Sequence, residues 1–130
     1  MDIPKIIIAD DESDLRKTIN KFISERLHVE IYEAANGYEA LELLKEKGCD
    51  LMLLDYKMPG ISGLEVLKEA KKLTPDAFIF VITKWDSPEV SKEVEVQGAE
   101  YIPKPLSLKV LLTKIQEKLT SINKYHPKVP

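Results

Sequence analysis

The strongest constraint on how this chain folds is an alternation between short apolar runs and longer stretches with helical periodicity. Five such pairs follow one another along the sequence. This alternation is typical of a parallel β-sheet that is covered by helices on both faces. It predicts strands at residues 5–9, 29–33, 51–54, 78–82 and 101–102. The first, third and fourth runs are almost uniformly apolar, which places them at the centre of the sheet and the other two at its edges.

Polar residues that favour helix starts agree with this pattern. Pairs with capping-box spacing, or residues suited to a first turn, precede four of the helical stretches: Asn36 and Glu39, Ser62 and Glu65, Ser87 and Pro88, and Ser107. The fourth stretch, about residues 88–97, offers only Val90 and Val94 as inward-facing apolar residues. We therefore expect this helix to bury little apolar area and to be the most weakly held of the five.

Length and composition limit the chain to one compact domain. With 130 residues, of which 44% are hydrophobic, the chain can form one core but not two ordinary ones. We predict that the domain spans residues 1–121. Residues 122–130, with two prolines and mixed polarity, are predicted to form a C-terminal tail or the start of a linker.

Composition also narrows the functional classes. No apolar run approaches the roughly 20 residues of a membrane-spanning helix, and the N-terminus lacks the apolar stretch of a secretory signal. We therefore expect a cytoplasmic protein without membrane contact. The single cysteine excludes an internal disulfide. A net charge of −3 argues against direct nucleic-acid binding, because a phosphodiester backbone is held by clustered lysines and arginines.

The residues that follow the predicted strands carry the chemistry. In an α/β sheet of this kind, ligands bind beyond the carboxyl ends of the strands. The side chains at these positions are acids, a hydroxyl and a lysine: Asp10, Asp11 and Glu12 after the first strand, Asp55 after the third, Thr83 after the fourth and Lys104 after the fifth.

These residue types together indicate phosphoryl transfer onto an aspartate. Carboxylates at one edge repel each other by about 1 to 4 kcal/mol per pair at 4 Å, so a cation must offset them. A compact group of carboxylate oxygens suits Mg²⁺. The carboxylate of Asp55 could act as a nucleophile, while Thr83 and Lys104 could donate hydrogen bonds to phosphoryl oxygens.

A plainer interpretation is open for each residue taken alone. Asp11 or Ser13 could cap the first helix, and Asp55 could belong to an ordinary turn. Tyr101, on a short edge strand, could be a half-buried packing residue. The joint occurrence of acids, hydroxyl and lysine at four strand ends favours the phosphoryl-transfer hypothesis.

In order and spacing, four parts of the chain resemble the response-regulator receiver family: residues 6–12, residues 54–60, Thr83 and residues 101–105. The resemblance covers nearly the whole chain. It implies a flavodoxin-like, doubly wound parallel sheet with strand order 2-1-3-4-5 and five helices. It also implies a regulatory phosphoacceptor domain of a two-component system, which catalyses only its own phosphorylation and dephosphorylation and is otherwise not an enzyme.

The resemblance assigns roles in a metal and phosphoacceptor site. It implies that Asp10 and Asp11 bind Mg²⁺, that Asp55 is the phosphoacceptor and a metal ligand, and that the backbone carbonyl of Lys57 reaches the metal. The phosphoryl donor that it implies is a phosphohistidine on a sensor histidine kinase or a phosphotransfer protein.

The resemblance also implies a switch. Thr83 and Lys104 would hold the phosphoryl group, and Tyr101 would swing inward as Thr83 moves. The face formed by the fourth helix, the fifth strand and the fifth helix would then control an output domain or a downstream protein. A homodimer through that face is a further interpretation that the sequence leaves open.

One position departs from the family pattern. Most receivers carry a small residue directly after the threonine, whereas this chain has Lys84, which could attract the phosphoryl group or hinder the movement of Thr83 and Tyr101. Lys57 and Trp85 each lie two residues past a principal site residue. Together with Lys84, they are expected to set the lifetime of the phosphoaspartate.

Three other functions compete with this hypothesis. A receiver-like module could bind partners without phosphorylation, and a protein indifferent to Mg²⁺ in Trp85 fluorescence would favour that alternative. An aspartyl phosphatase of the haloacid-dehalogenase type would need a second acid two residues after the first, where this chain has Lys57. A flavodoxin would need a phosphate-binding loop after the first strand, where this chain has acids.

Overall fold

The structure is a computed structural model, and it describes residues 2–84 and 87–128. Trp85, for which the sequence predicts a role in phosphoaspartate lifetime, lies outside the described residues. Strands and helices alternate along the chain: β1 (Lys5–Ala9), α1 (Ser13–Ser24), β2 (Glu30–Ala34), α2 (Gly37–Lys47), β3 (Leu51–Asp55), α3 (Gly63–Leu73), β4 (Phe78–Thr83), α4 (Pro88–Val96), β5 (Glu100–Pro103) and α5 (Leu108–Ser121).

The five strands form one parallel sheet with the order β2-β1-β3-β4-β5. This confirms the predicted doubly wound fold and the predicted placement of the three most apolar strands at its centre. Those strands are apolar along their whole length because helices cover both faces of the sheet, so neither set of alternating side chains meets water.

Alternate residues of the strands point into two separate cores. On one face, Ile7, Met52 and Val81 pack against α2, α3 and α4. On the other face, Ile8 and Phe80 and their strand neighbours pack against α1 and α5. The apolar stripes of α1 and α5 therefore belong to one layer, and the other three helices form the opposite layer.

Several strands extend beyond their predicted ends. The third strand includes Asp55, which pairs in register with Ile82, and the fourth includes Thr83, which pairs with Pro103. The second strand is shifted by one residue to Glu30–Ala34, and the fifth runs over Glu100–Pro103. The predictions were short because apolar character ends before the ladder of backbone hydrogen bonds does.

The predicted helix starts are confirmed at four positions. The side chains of Asn36, Ser62, Ser87 and Ser107 each accept a hydrogen bond from a backbone amide in the first turn of the following helix. In α2 the bond runs from the amide of Glu39 to Asn36 Oδ1, and Glu39 in turn accepts from the amide of Ala35. These bonds satisfy amides that a helix terminus otherwise leaves unpaired.

The fourth helix is the most lightly anchored of the five. Within α4, Val94 is buried, Val90 is only partly buried against the core, and Val96 is largely exposed. This agrees with the expectation that α4 buries little apolar area. Among the described residues, no helix combines the length and the apolar character that crossing a membrane requires.

The segment after α5 folds back onto the domain. Leu27 and Pro127 form an antiparallel bridge, the amide of His28 donates to the carbonyl of His126, and the amide of Lys128 donates to the carbonyl of Arg26. The half-buried ring of Tyr125 packs against the core between α1 and α5. As far as residue 128, both the apolar and the backbone groups of this segment therefore find partners on the body of the domain. That residues 122–130 form a C-terminal tail or the start of a linker stays a prediction.

Candidate functional site

Three carboxylates meet at the carboxyl edge of the sheet. Asp10 follows β1, and Asp55 ends the neighbouring strand β3. Because Ala9 and Leu54 are partners in the β1–β3 ladder, the next residue of each strand reaches the same edge. Carboxylate oxygens of Asp10, Asp11 and Asp55 all lie within 4.8 Å of one another. The predicted metal-binding set is thus brought together in space.

The backbone around Asp10 and Asp55 is closely packed. The amide of Asp10 donates to the carbonyl of Ala34, and the carbonyl of Asp10 accepts from the side chain of Arg16 at 2.7 Å. Beyond β3, the chain of α3 approaches so closely that a β-carbon on Gly63 would lie 2.6 Å from the carbonyl oxygen of Asp55. Glycine at this position allows α3 to begin directly beside the strand end.

The three acids differ in their contact with water. Asp10 is only 2% exposed and Asp55 only 6% exposed, whereas Asp11 is exposed. Burial, followed by the neighbouring charge of Asp10, raises the pKa of Asp55 from 3.8 to about 7 despite the opposing effect of Lys104. The Asp55 carboxyl group is therefore held in a site where its charged form is costly unless a cation is close.

Lys104 supplies one such cation. Its side chain is only 8% exposed, and its Nζ lies 3.5 Å from Asp10 Oδ2, 3.6 Å from Asp55 Oδ2 and 3.2 Å from Glu12 Oε1. Burial by itself would lower the pKa of Lys104, but the charges of Asp55 and Asp10 outweigh that effect and raise it. A lysine this deeply placed among carboxylates remains protonated.

Thr83 shares the cavity with these charges. It is the last residue of β4, it is 1% exposed, and its carbonyl accepts from the amide of Lys104 at 2.8 Å. The cavity has a volume of about 210 Å³. Its lining consists of acids, lysines and one hydroxyl: Asp11, Glu12, Asp55, Lys57, Thr83, Lys84 and Lys104.

Glu12, one of the acids that the sequence places after the first strand without a specific role, takes part in the site. Its Oε1 accepts from Lys104 and forms an ion pair with Lys84 Nζ at 3.8 Å. The hydrogen bond from Lys104 holds the pKa of Glu12 below its ordinary value. Glu12 is also the N-cap residue of α1, so the expectation that Asp11 or Ser13 caps that helix is wrong. The sequence feature that indicates a role for Glu12 in the site is its position as the third acid after β1.

The remaining predicted residues lie at the margin of the site. Lys57 and Lys84 are exposed residues on the lining of the cavity, and the amide of Lys57 donates to Asp55 Oδ1 at 3.4 Å. Tyr101 does not line this cavity. It is half-buried in β5 opposite Val81 and packs against the core beneath α4.

The donor set fits a hard divalent cation. The carboxylates of Asp10, Asp11 and Asp55 lie close together, and two of these acids, Asp10 and Asp55, are almost completely buried. Close oxygen ligands with an open, solvent-facing side match the preference of Mg²⁺ for carboxylates together with water and phosphate oxygens. Because Lys104 is the lysine that contacts the buried acids Asp10 and Asp55, a bound cation beside them would relieve the repulsion that remains within this group.

Comparison with known proteins is consistent with this geometry. Residues 6–116 match the family model of the response regulator receiver domain. The chain is 30% identical over 124 residues to sporulation initiation phosphotransferase F of Bacillus subtilis (strain 168), a match that covers 95% of this chain and 94% of that protein. It is 32% identical over 115 residues to a cyclic di-GMP phosphodiesterase of Thermotoga maritima, covering 88% of this chain but only 30% of that protein.

A solved structure supports the same assignment. The response regulator receiver domain protein (CheY-like) from Methanospirillum hungatei JF-1 superposes with a TM-score of 0.88 at 32% identity, covering 95% of this chain and 98% of that one. The similarity therefore extends over the sheet, the helices and nearly the whole length of the sequence. The chain belongs to the response regulator receiver domain family of two-component signalling.

Proposed function

We propose that this receiver domain accepts a phosphoryl group on Asp55 from the phosphohistidine of a sensor histidine kinase or of a phosphotransfer protein, with Mg²⁺ bound beside the carboxylate. One observation carries the proposal. The Asp55 carboxylate is almost buried, shares an edge with Asp10 and Asp11, and has Lys104 Nζ at 3.6 Å. An aspartate in an ordinary turn has no reason to be buried among like charges.

The same residues provide for the metal. Receiver domains generally bind Mg²⁺ at an acidic pocket, and in this chain the carboxylates of Asp10, Asp11 and Asp55, with the backbone carbonyl of Lys57, would hold the ion. Bound there, Mg²⁺ would offset the mutual repulsion of the acids and reduce the negative charge that faces an incoming phosphoryl group.

In the proposed transfer, a carboxylate oxygen of Asp55 attacks the phosphorus atom. A new O–P bond forms while the N–P bond of the donor phosphohistidine breaks, and the electron pair of that bond returns to the imidazole nitrogen. Lys104 Nζ and the hydroxyl group of Thr83 hold the phosphoryl oxygens by donating hydrogen bonds to them. Lys104 already lies 3.6 Å from Asp55 Oδ2, so it needs little movement to reach a phosphoryl oxygen there.

The phosphoaspartate would be lost by hydrolysis. A water oxygen attacks the phosphorus atom, the O–P bond to Asp55 breaks, and inorganic phosphate leaves while the carboxylate is restored. Lys57 and Lys84 line the cavity through which that water enters. They would set the lifetime of the phosphoaspartate together with Trp85.

Phosphorylation is proposed to act on the face formed by α4, β5 and α5. The buried Thr83 would turn toward the phosphoryl group, and Tyr101, which lies beside the same strand, would fill the space that Thr83 leaves. The light anchoring of α4 favours movement there. In this proposal the altered face controls an output domain or a downstream protein, or forms a homodimer, in the cytoplasm where the kinase acts.

The test is phosphorylation by a small acyl phosphate with Mg²⁺, followed by the mass of the intact protein. Wild type should gain one phosphoryl group, and Asp55→Asn should gain none. Asp76→Asn, which removes an exposed carboxylate in the turn before β4, is the matched control and should be labelled like wild type. Labelling of Asp55→Asn at the wild-type level would refute the assignment, and an unlabelled wild type would favour a module that acts without phosphorylation.

A further inference from the structure

The mouth of the acidic cavity carries a lysine that is not committed to the buried acids. Lys84 directly follows Thr83 at the end of β4, and its side chain is 74% exposed. Its Nζ lies 3.8 Å from Glu12 Oε1, the same oxygen that accepts from Lys104. Glu12 thus draws two lysines to the cavity, one buried within it and one at its opening.

An anionic phosphodonor that approaches this site first meets negative charge. Asp11 and Glu12 are the exposed acids on the lining of the cavity. Lys104 is poorly placed to attract the donor from solution, because it is 8% exposed and already contacts three carboxylates. Beyond the charge that Mg²⁺ offsets, an exposed cation at the opening would attract a phosphate group past these acids.

Lys84 has the position and the freedom to meet this need. Its ion pair with Glu12 is long, and the side chains of Lys84 and Glu12 are 74% and 48% exposed, so the pair is weak and can exchange for a stronger one. The pair still holds the ammonium group on the side of the cavity, because Glu12 is fixed at the start of α1 by the bond from its amide to Asp10 Oδ1 at 2.8 Å. A phosphate dianion presents more charge to Lys84 than one carboxylate does.

We infer that Lys84 is a binding residue for the anionic phosphodonor at the mouth of the cavity, and that Glu12 is the residue that positions it. This inference rests on the proposed phosphorylation of Asp55. It assigns Lys84 to the capture of the donor, before the phosphoryl group reaches Lys104 and Thr83. The interpretation of Lys84 as a steric hindrance to the switch predicts the opposite effect of its removal.

The experiment compares the rates at which acetyl phosphate labels the full chain at saturating Mg²⁺. Lys84→Met should lower the second-order rate constant about five-fold at low ionic strength, Lys84→Glu should lower it further, and Lys84→Arg should restore it to within about two-fold. The deficit of Lys84→Met should shrink to below about two-fold near 0.5 M salt, where the screening length is only a few ångströms.

The chain offers a closely matched control on α3. Lys72 pairs with Glu69 at 3.5 Å, and its side chain is 75% exposed, but the pair lies on the last turns of the helix, outside the cavity. Lys72→Met removes the same charge from the same kind of ion pair and should leave the rate unchanged. The urea midpoint of each variant shows that it is folded.

The outcomes separate this inference from the proposed function. A wild type that takes up no phosphoryl group refutes the proposed function itself. If the wild type is labelled, the inference about Lys84 is overturned when Lys84→Met reacts as fast as wild type or faster. It is also overturned by a deficit that persists in high salt, because the effect would then not be the attraction of an anion.

Discussion

Replacing Asp55 by asparagine should stabilise the metal-free protein above neutral pH. The carboxyl group of Asp55 is 6% exposed and lies beside Asp10, and burial followed by the charge of Asp10 raises its pKa from 3.8 to about 7. Asparagine has nearly the same shape and carries no charge. Because Lys104 also contacts Asp10 and Glu12, we expect it to keep carboxylate partners when Asp55 is replaced.

The sign of the effect follows from proton binding. Between about pH 4 and pH 7 the folded wild type holds the Asp55 proton while the unfolded chain has lost it. The folded state then binds more protons, so the free energy of unfolding falls as pH rises through this window and levels off above it. A rise of about three pKa units corresponds to about 4 kcal/mol. Because solvent at the open mouth screens the charge, we expect about half of that, on the order of 2 kcal/mol.

The assay is urea unfolding of wild type and Asp55→Asn, with divalent cations chelated, at pH 4 and at pH 8. The two free energies of unfolding should be nearly equal at pH 4, where both side chains are neutral in the folded state. At pH 8 the variant should be more stable by about 2 kcal/mol. Asp76→Asn, in which an exposed carboxylate is lost, controls for the general effect of removing one negative charge. A variant that is equally or less stable than wild type at pH 8 would refute the reasoning.

Three further predictions concern the metal, the C-terminal segment and a helix cap. In urea titrations, Mg²⁺ at about 100 times its dissociation constant should raise the free energy of unfolding of wild type by about 2.7 kcal/mol. At the same Mg²⁺ concentration, the free energy of unfolding of Asp11→Asn should rise by less. Deleting residues 122–130 should lower the free energy of unfolding by about 2 to 4 kcal/mol, because the packing of Tyr125 and two backbone hydrogen bonds are lost. An unchanged melting temperature would show that the segment does not stabilise the domain. Asn36→Ala should cost about 1 kcal/mol, because the amide of Glu39 loses its acceptor, and a neutral result in the same urea assay would contradict the capping role.

The acidic edge shows how a stable fold can hold an unfavourable cluster. The sheet carries two extensive apolar cores, one on each face. The repulsion among Asp10, Asp11 and Asp55 destabilises the fold locally, and the burial of these two cores offsets that destabilisation. In the proposed function this repulsion is relieved when the cation binds, so that binding and stability are coupled.

The sequence was sufficient for the architecture. Alternating apolar runs and helical stretches predict a parallel sheet, and the nearly uniform apolar character of three runs predicts that they are central. The helix caps at Asn36 and Ser107 could be located from residue type and spacing alone, because capping depends on neighbours within one turn. Residues that make local interactions are the ones that a sequence reveals most directly.

The limits of strands and the fate of the C-terminal segment needed the tertiary structure. Asp55 and Thr83 are the final residues of strands, although neither has the apolar character by which a strand is recognised. Their place depends on hydrogen bonds to neighbouring strands that are distant in sequence. Residues 122–128 likewise look like a tail, because their partners, Leu27 among them, lie about a hundred positions earlier.

By itself, the sequence determined the fold class and the chemical character of the strand ends, since periodicity and residue type are properties of short segments. Only the tertiary structure decided which charged side chains at that edge of the sheet are buried and which are exposed to water. It buried Asp10, Asp55 and the side chain of Lys104 while leaving Asp11 exposed, and it brought Glu12 to two lysines, 72 and 92 positions away. Burial and charge separation depend on which strand ends become neighbours, and only the folded sheet sets that arrangement.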